Sequence, residues 1–279
     1  MGAVVAGYRA RPWRYRALDA FTLLTLLFVV APLVIVVINS FNAAAYSVFP
    51  PTGLSLRWYA NLAAQTTFYG AFARSVAIGV ASTALALVTG TMASLALVRG
   101  RLFGRGLLRS LLLSPIVLPK MVLGVALFML FIRIGLFGNP LSLIVSHALV
   151  SLPFVVSIVS ANLQGLDRSL EEAAMDLGAT PLRTFMRVTL PQISVGMVVS
   201  ALFAFITSFD QVETSIFLVR GDNTTLPIEM YLYLEKWQDP TIAALSTVLI
   251  AFSALLVVLM GLGLRRVDLV RALGSGGQR

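Results

Sequence analysis

Residues 169–191, Ser-Leu-Glu-Glu-Ala-Ala-Met-Asp-Leu-Gly-Ala-Thr-Pro-Leu-Arg-Thr-Phe-Met-Arg-Val-Thr-Leu-Pro, form a polar stretch between two apolar segments of membrane length. Their chemistry predicts two short helices with a hard turn between them. Ser169 and Glu172 have S-x-x-E spacing, at which hydroxyl and carboxylate reciprocally satisfy orphan amides at a helix start. Gly178 supplies a permissive C-terminal stop. Thr180 is a second N-cap, with Pro181 at the first helical position, where a missing N–H costs nothing. Pro191 ends the second helix or bends the chain beyond it. A stiff polar helix pair held between two spans is a shape for being gripped and pushed by another protein. The competing expectation is an interfacial amphipathic helix with no partner.

The rest of the chain is written for lipid. Of its 279 residues 58% are hydrophobic and 12% charged, and the mean hydropathy is +0.90. Soluble domains carry about 25% charged residues. Apolar runs able to cross ~30 Å of hydrocarbon lie near 18–38, 74–98, 107–131, 141–163, 194–219 and 241–264. The first has basic residues before it and Ala43-Ala44-Ala45 after it, like a cleavable leader. Its apolar core of about twenty residues exceeds the 7–15 of such leaders, so it is expected to remain as an anchor.

Charge gives the direction. Fifteen of the twenty-one Lys and Arg residues fall in the N-terminus (Arg9, Arg11, Arg14, Arg16), the loop after the second span (Arg99, Arg101, Arg105, Arg109), the polar stretch (Arg168, Arg183, Arg187) and the tail (Arg265, Arg266, Arg271, Arg279). By the positive-inside rule these segments, both termini included, are cytoplasmic. The +9 net charge is thereby a topology signal, and no nucleic-acid partner is expected. Trp58 and Trp237 fall in external loops, where interfacial aromatic belts sit. Asp222, Glu229, Glu235 and Asp239 make the last external loop acidic, suiting either a docking surface for a soluble binding protein or a plain solvated loop.

Several chemistries are excluded. Without cysteine there is no disulfide and no thiolate metal site, and the lone His147 rules out a His-rich cluster. His147, near the outer end of the fourth span, is expected to be a hydrogen-bonded packing residue. No G-x-x-x-x-G-K-[ST] loop occurs, so ATP is not hydrolysed here by that route. No nucleophile–base constellation is present either. Neither catalytic residues nor a bound metal or cofactor are expected, and energy must come from another chain.

Glu172-Ala173-Ala174, three residues, Gly178, nine residues and Val188-Thr189-Leu190-Pro191 resemble the EAA loop of permease subunits of bacterial ABC importers, EAA-x3-G-x9-I-x-LP, with Val188 in place of Ile. Asn39-Ser40-Phe41-Asn42, Pro50-Pro51-x-Gly53, Ser55-Leu56-Arg57-Trp58-Tyr59, Ser146-His147, Leu152-Pro153-Phe154-Val155-Val156, Ser208-Phe209-Asp210 and Leu226-Pro227-x-x-x-Tyr231 are similar to the spermidine/putrescine branch. The resemblance implies an all-α polytopic membrane protein with six transmembrane helices, the type I importer permease (MetI-like) fold, in the bacterial inner membrane. It implies a loop (164–193) that couples to the ATPase through Glu171, Glu172, Ala173, Ala174, Asp176, Gly178, Ala179, Leu190 and Pro191. The implied partners are a homologous second permease, two copies of a cytoplasmic ABC ATPase that use ATP and Mg, and an extracytoplasmic solute-binding protein. Residues 1–73 would be the N-terminal segment, first span and external loop, 74–264 the transmembrane core and 265–279 a cytoplasmic tail. An ion-coupled secondary transporter and a membrane-embedded enzyme are the competing classes.

Charges inside spans usually face a bundle interior or a water-filled cavity, and Lys120, Asp210 and Glu213 qualify. Asp210 and Glu213, three apart, share a face if the helix is continuous, and paired carboxylates suit ammonium groups. Either they line the cargo path, or they pair with Lys120 and brace the bundle. Lys120 departs from a polyamine carrier; it could neutralise a carboxylate or hold an acid group on the cargo. Pro115 and Pro119 break the third span, and broken helices commonly line passages. The expected cargo is a polyamine or related amine, with amino acids, 4-aminobutyrate, opines or aminophosphonates as the alternative. The orientation is tested in this cysteine-free chain by an Asn223→Cys variant, expected to react with an impermeant maleimide added outside intact cells, and a Thr180→Cys variant, expected to stay protected. The reverse labelling would invert the topology.

Overall fold

The computed structural model describes residues 13–255. Arg9, Arg11, the basic tail and the end of the sixth predicted span, residues 256–264, lie outside the described residues. Among those described every regular element is helical, and extended pairing is confined to one bridge, Asn42 with Leu54. The helices are α1 (Trp13–Ser40), α2 (Arg57–Ala64), α3 (Thr66–Val98), α4 (Arg105–Val117), α5 (Lys120–Arg133), α6 (Pro140–Gln164), α7 (Ser169–Asp176), α8 (Pro181–Thr184), α9 (Leu190–Gln192), α10 (Ser194–Phe209), α11 (Leu226–Lys236) and α12 (Thr241–Leu255). Residues 185–189, between α8 and α9, form a π-helical turn.

Three helices, α1 from Ala17, α3 and α6, are long and apolar enough to cross a bilayer unaided, and the number reaches five if each bent pair is one span. One bent pair, α4 with α5, turns by 106°. The prolines of the sequence account for it: Pro115 and Pro119 each lack an N–H, and Leu118, preceding proline, takes the extended conformation expected there (φ −74°, ψ 138°). The second predicted span begins earlier than expected, at Thr66, because Phe68 and Ala71 are buried on the same helical face as the rest of α3. The fifth ends earlier: α10 stops at Phe209, and residues 210–218 are irregular apart from one 3-10 turn at Ser215–Phe217. Asp210 and Glu213 therefore do not share a helical face.

The described chain falls into two compact units, Thr66–Leu232 and the remainder on either side of it. In the larger unit α3 packs against α6 and α10. Hydrophobicity cannot drive helices together in lipid, so close backbone approach has to do it. The face that α3 buries is accordingly small: Ala71, Ser75, Gly79, Ser82, Ala86, Gly90 and Ser94, spaced three or four apart. At Gly90 a Cβ would lie 2.7 Å from Val155 Cγ1 on α6, closer than any real contact. Ser94 Oγ donates to Val156 O at 3.2 Å and Ser151 Oγ to Ala204 O at 3.2 Å, adding interhelical hydrogen bonds. Deeper in, His147 on α6 is buried with Nδ1 2.8 Å from Ser208 Oγ and Nε2 2.7 Å from Ser215 Oγ, while Ser82 Oγ lies 2.8 Å from Ser208 Oγ. One imidazole thus holds α6, the end of α10 and the irregular segment together.

In the smaller unit α1 exposes apolar side chains all round, Leu18, Phe21, Leu24, Phe28 and Leu33 among them, as a helix solvated by lipid does. Trp58 departs from the interfacial role expected of it. It is buried, its indole N–H donates to Asn42 O at 2.8 Å and Arg57 lies over its ring. Trp237 is exposed as an interfacial ring should be. Asn42 organises the loop above Trp58, donating to Val48 O and accepting from the Ala44 N–H.

The seam between α3 and α6 carries a prediction. Gly90→Ala should lower the thermal unfolding midpoint in detergent, because overpacking a close-packed contact costs about 1–3 kcal/mol. Adding Val155→Ala, which removes the opposing methyls, should recover part of the loss. A double variant no more stable than Gly90→Ala would show that the contact does not set the helix separation.

Candidate functional site

The polar stretch folds as the predicted helix pair, with its start built differently. Asp167 Oδ1 accepts the Ser169 N–H at 3.0 Å, and α7 begins there. That backbone donor, first among the causes, holds the exposed Asp167 carboxyl below its ordinary pKa. The expected S-x-x-E box does not form, because Asp167 reaches the orphan amide first. Glu172 lies instead along the exposed side of the helix with Oε1 2.9 Å from Arg168 Nε.

Glu171 is the residue turned inward. Its side chain is 10% exposed, with Oε2 2.8 Å from Arg99 Nε at the end of α3, and Oε1 accepting the Thr189 hydroxyl at 2.7 Å. Arg99 reaches further to Leu166 O at 3.4 Å. A single carboxylate so ties the end of a membrane helix, the loop's first helix and its last turn. Sequence reasoning named Glu171 among the coupling residues without setting it apart from Glu172, and missed both Arg99 and Thr189. Thr189 was visible only as the variable position of the Val-Thr-Leu-Pro run.

Gly178 ends α7 at φ +86°, a left-handed conformation in which its N–H donates to Met175 O at 2.9 Å. Thr180 then caps α8 as expected, Oγ1 accepting the Arg183 N–H at 3.3 Å with Pro181 behind it. The π turn comes next. Pro191 has no N–H and its ring crowds the carbonyl four residues back, and the widened turn ahead of it lets the Leu190 N–H bond Phe185 O. Past Pro191 the chain bends by 78° into α10.

Among the loop residues singled out in the sequence, Glu172, Ala173, Asp176, Gly178 and Pro191 are exposed, Ala174, Ala179 and Leu190 are half-buried, and Glu171 is buried. The turn also presents large apolar side chains to solvent: Leu177 is 90% and Leu182 72% exposed, with Met186 beside them. Between the two helices runs an open hollow of about 260 Å³ lined by Ala174, Gly178, Ala179, Arg183 and Arg187. Exposed apolar residues thus surround a hollow rimmed by arginines.

At the candidate path the bend between α4 and α5 brings Lys120 to the carboxylate of the irregular segment. Lys120, the first residue of α5, has Nζ 3.6 Å from Glu213 Oε1, with the two side chains 47% and 41% exposed. The approach is enforced at Gly124, where a Cβ would lie 2.8 Å from Phe217 and 3.0 Å from the Thr214 backbone. Asp210, at the end of α10, is exposed and has no ion-pair partner among the described residues. Pro115 is buried and Pro119 exposed. Gln211 is buried beneath the segment, donating to Thr214 Oγ1 at 2.9 Å and leaving its carbonyl oxygen without a partner. Together with His147, Ser208 and Ser215 it positions the two carboxylates. Sequence reasoning missed this support, since a buried Gln looks like an exposed one in the chain. No group of three or more metal-ligating side chains occurs among the described residues.

Comparison with known proteins places this architecture. The putrescine transport system permease protein PotI of Escherichia coli K12 is 34% identical over 246 residues, covering 86% of both chains. The spermidine/putrescine transport system permease protein PotC of Haemophilus influenzae is 30% identical over 253 residues, 91% of this chain and 98% of that one. A bacterial ABC transporter structure, from a system importing the acidic polysaccharide alginate, superposes with a TM-score of 0.68 at 16% identity over 92% of this chain and 98% of that one, which establishes a shared fold. Residues 82–269 match the family model described as binding-protein-dependent transport system inner membrane component. The chain, a multi-pass inner-membrane protein and a transport subunit rather than an enzyme, belongs to the family of binding-protein-dependent transport system inner membrane components.

Proposed function

We propose that this permease forms half of the translocation path for a small amine, putrescine or a related polyamine, and that residues 164–193 dock on a separate ATPase subunit whose ATP- and Mg-driven closure moves them. A second, homologous permease would complete the path, and a soluble binding protein would deliver the cargo. The observation that carries the coupling role is the loop's construction: tethered inward through Glu171, stiffened by two caps, and exposing Leu177 and Leu182 where nothing among the described residues covers them. For the cargo, support comes from the named transport of the relatives and from Asp210 and Glu213 standing accessible at the end of α10.

The Lys120–Glu213 pair bears on the choice. Both side chains are nearly half exposed, and pairs of that kind contribute about 0–1 kcal/mol. As a brace for the bundle it is weak. As a counter-ion that a cationic cargo displaces it is well placed, because little energy is lost on opening it.

Coupling is tested in proteoliposomes holding both permeases, the ATPases and the binding protein. Gly178→Val forces a β-branched side chain into φ +86° and should abolish ATP-dependent uptake while the protein still inserts. Leu177→Asp should do the same by charging the docking surface. Undiminished uptake in both would remove the loop from the coupling path.

Cargo charge is tested with the path residues. Asp210→Asn and Glu213→Gln should each reduce putrescine uptake severalfold, while Lys120→Ala leaves it unchanged or raises it. A larger loss from Lys120→Ala than from Asp210→Asn would point to a cargo with an acid group. Destabilisation in detergent by Lys120→Ala and by Glu213→Gln, relieved in the double variant, would assign the pair to bracing.

A further inference from the structure

At the end of the larger unit that carries α7, a second concavity of about 210 Å³ opens between the last turns of α3 and α6 and the first turn of α4. Its polar lining is entirely of donors and neutral groups. Arg105 and Arg109 stand one turn apart on α4, both exposed, and neither has a carboxylate partner among the described residues. Gly106 lines the same wall with its N–H in a helix start that has no side-chain cap, since Gly104 in the N-cap position offers none. Opposite, the Ser160 hydroxyl is buried and without a hydrogen-bond partner, and Gln164 adds its amide.

Each of these has an ordinary explanation alone. Arginines collect at cytoplasmic ends by the positive-inside rule, and a serine in a membrane helix usually bonds the carbonyl one turn back. Their combination does not. An exposed topology-setting arginine needs no concavity, and a buried orphan hydroxyl costs free energy unless something fills the site. Two guanidinium groups lining one concavity with a hydroxyl and an amide beside them are the donor types that bind the oxygens of a phosphate group. The rim is apolar, from Leu97 and Val98, and the neighbouring α3–α4 loop exposes Phe103 fully. The site therefore stands at the ends of two helices long and apolar enough to cross a membrane.

We propose that Arg105, Arg109, Ser160 and Gln164 form a binding site for a phosphate group, supplied either by an anionic phospholipid or by free phosphate. Arg99, one residue past Val98, holds Glu171, so an occupied site would fix the helix end from which the loop is tethered. The proposal is independent of the cargo and of the coupling role.

The test uses the assembled importer, purified in detergent and stripped of lipid. Thermal stability and native mass spectrometry are followed with added phosphatidylglycerol, phosphatidylcholine or inorganic phosphate. Phosphatidylglycerol should be retained and should raise the unfolding midpoint, and Arg105→Gln with Arg109→Gln should weaken that retention at least tenfold. Ser160→Ala, which leaves charge and fold intact, should weaken it severalfold, and Arg101→Gln, outside the pocket, should not change it. Stabilisation by inorganic phosphate alone, lost in the same variants, would also support the site and identify the source as free phosphate. Equal retention of phosphatidylglycerol and phosphatidylcholine with no phosphate effect would overturn the proposal. So would wild-type anion binding in the double arginine variant, including the case in which that variant loses only its ATPase, which would make the arginines a protein contact.

Discussion

Glu171 joins the end of α3, the helix α7 and the π turn through one buried carboxylate. A carboxylate so thoroughly removed from water is costly unless paired and hydrogen-bonded, and removing one partner of such a pair typically costs about 3–5 kcal/mol. Arg99 and Thr189 meet that requirement from opposite directions. Because Arg99 directly follows α3 and Thr189 lies one short helix before α10, the carboxylate closes a ring: α3, α7, the π turn and back through α10 to α3. Through these contacts the loop is bound to two membrane helices at once and not hung on a flexible linker.

The same economy governs the membrane bundle. Small residues bring α3 against α6 and α10, and hydroxyls and one imidazole supply the hydrogen bonds that lipid cannot. His147 satisfies both ring nitrogens with serine hydroxyls, and those hydroxyls can rotate to suit either neutral tautomer. The irregular segment after α10 is tolerated because Gln211, Thr214 and Ser215 are satisfied largely within the protein, as backbone without regular structure at membrane depth must be.

Local chemistry was the part of the fold legible in the sequence. Gly178, Thr180 and Pro181 each act within a few bonds of their own position, and the structure uses them as anticipated. Pro115 and Pro119 broke the third span for the same reason. The features that escaped depended on the fold around them. Glu171 and Glu172 are identical in kind and differ by a single step around the helix, so only packing against Arg99 could select the inward one. Of the expected capping pair, Glu172 lost the Ser169 N–H to Asp167, and the Glu172 N–H that Ser169 would have capped goes to the Arg168 carbonyl. Asp210 and Glu213 were placed on one face because the apolar run seemed to continue, whereas buried partners for Gln211 and Ser215 made it favourable to leave the helix at Phe209. Trp58 looked interfacial until the carbonyl of Asn42 came within reach of its indole.

The widened turn at Phe185–Thr189 has a geometric meaning of its own. A π turn accommodates one residue more than an α turn, and each α-helical residue rotates the chain by roughly 100° about the axis. Thr189 points at Glu171 while Leu182 and Met186 point away into solvent, and that relative phase is fixed by the single extra residue between them. The direction in which this surface faces is therefore encoded by chain length and not by side-chain identity. Exchanging side chains here would leave that direction unchanged, whereas losing one residue would swing it by more than a quarter turn.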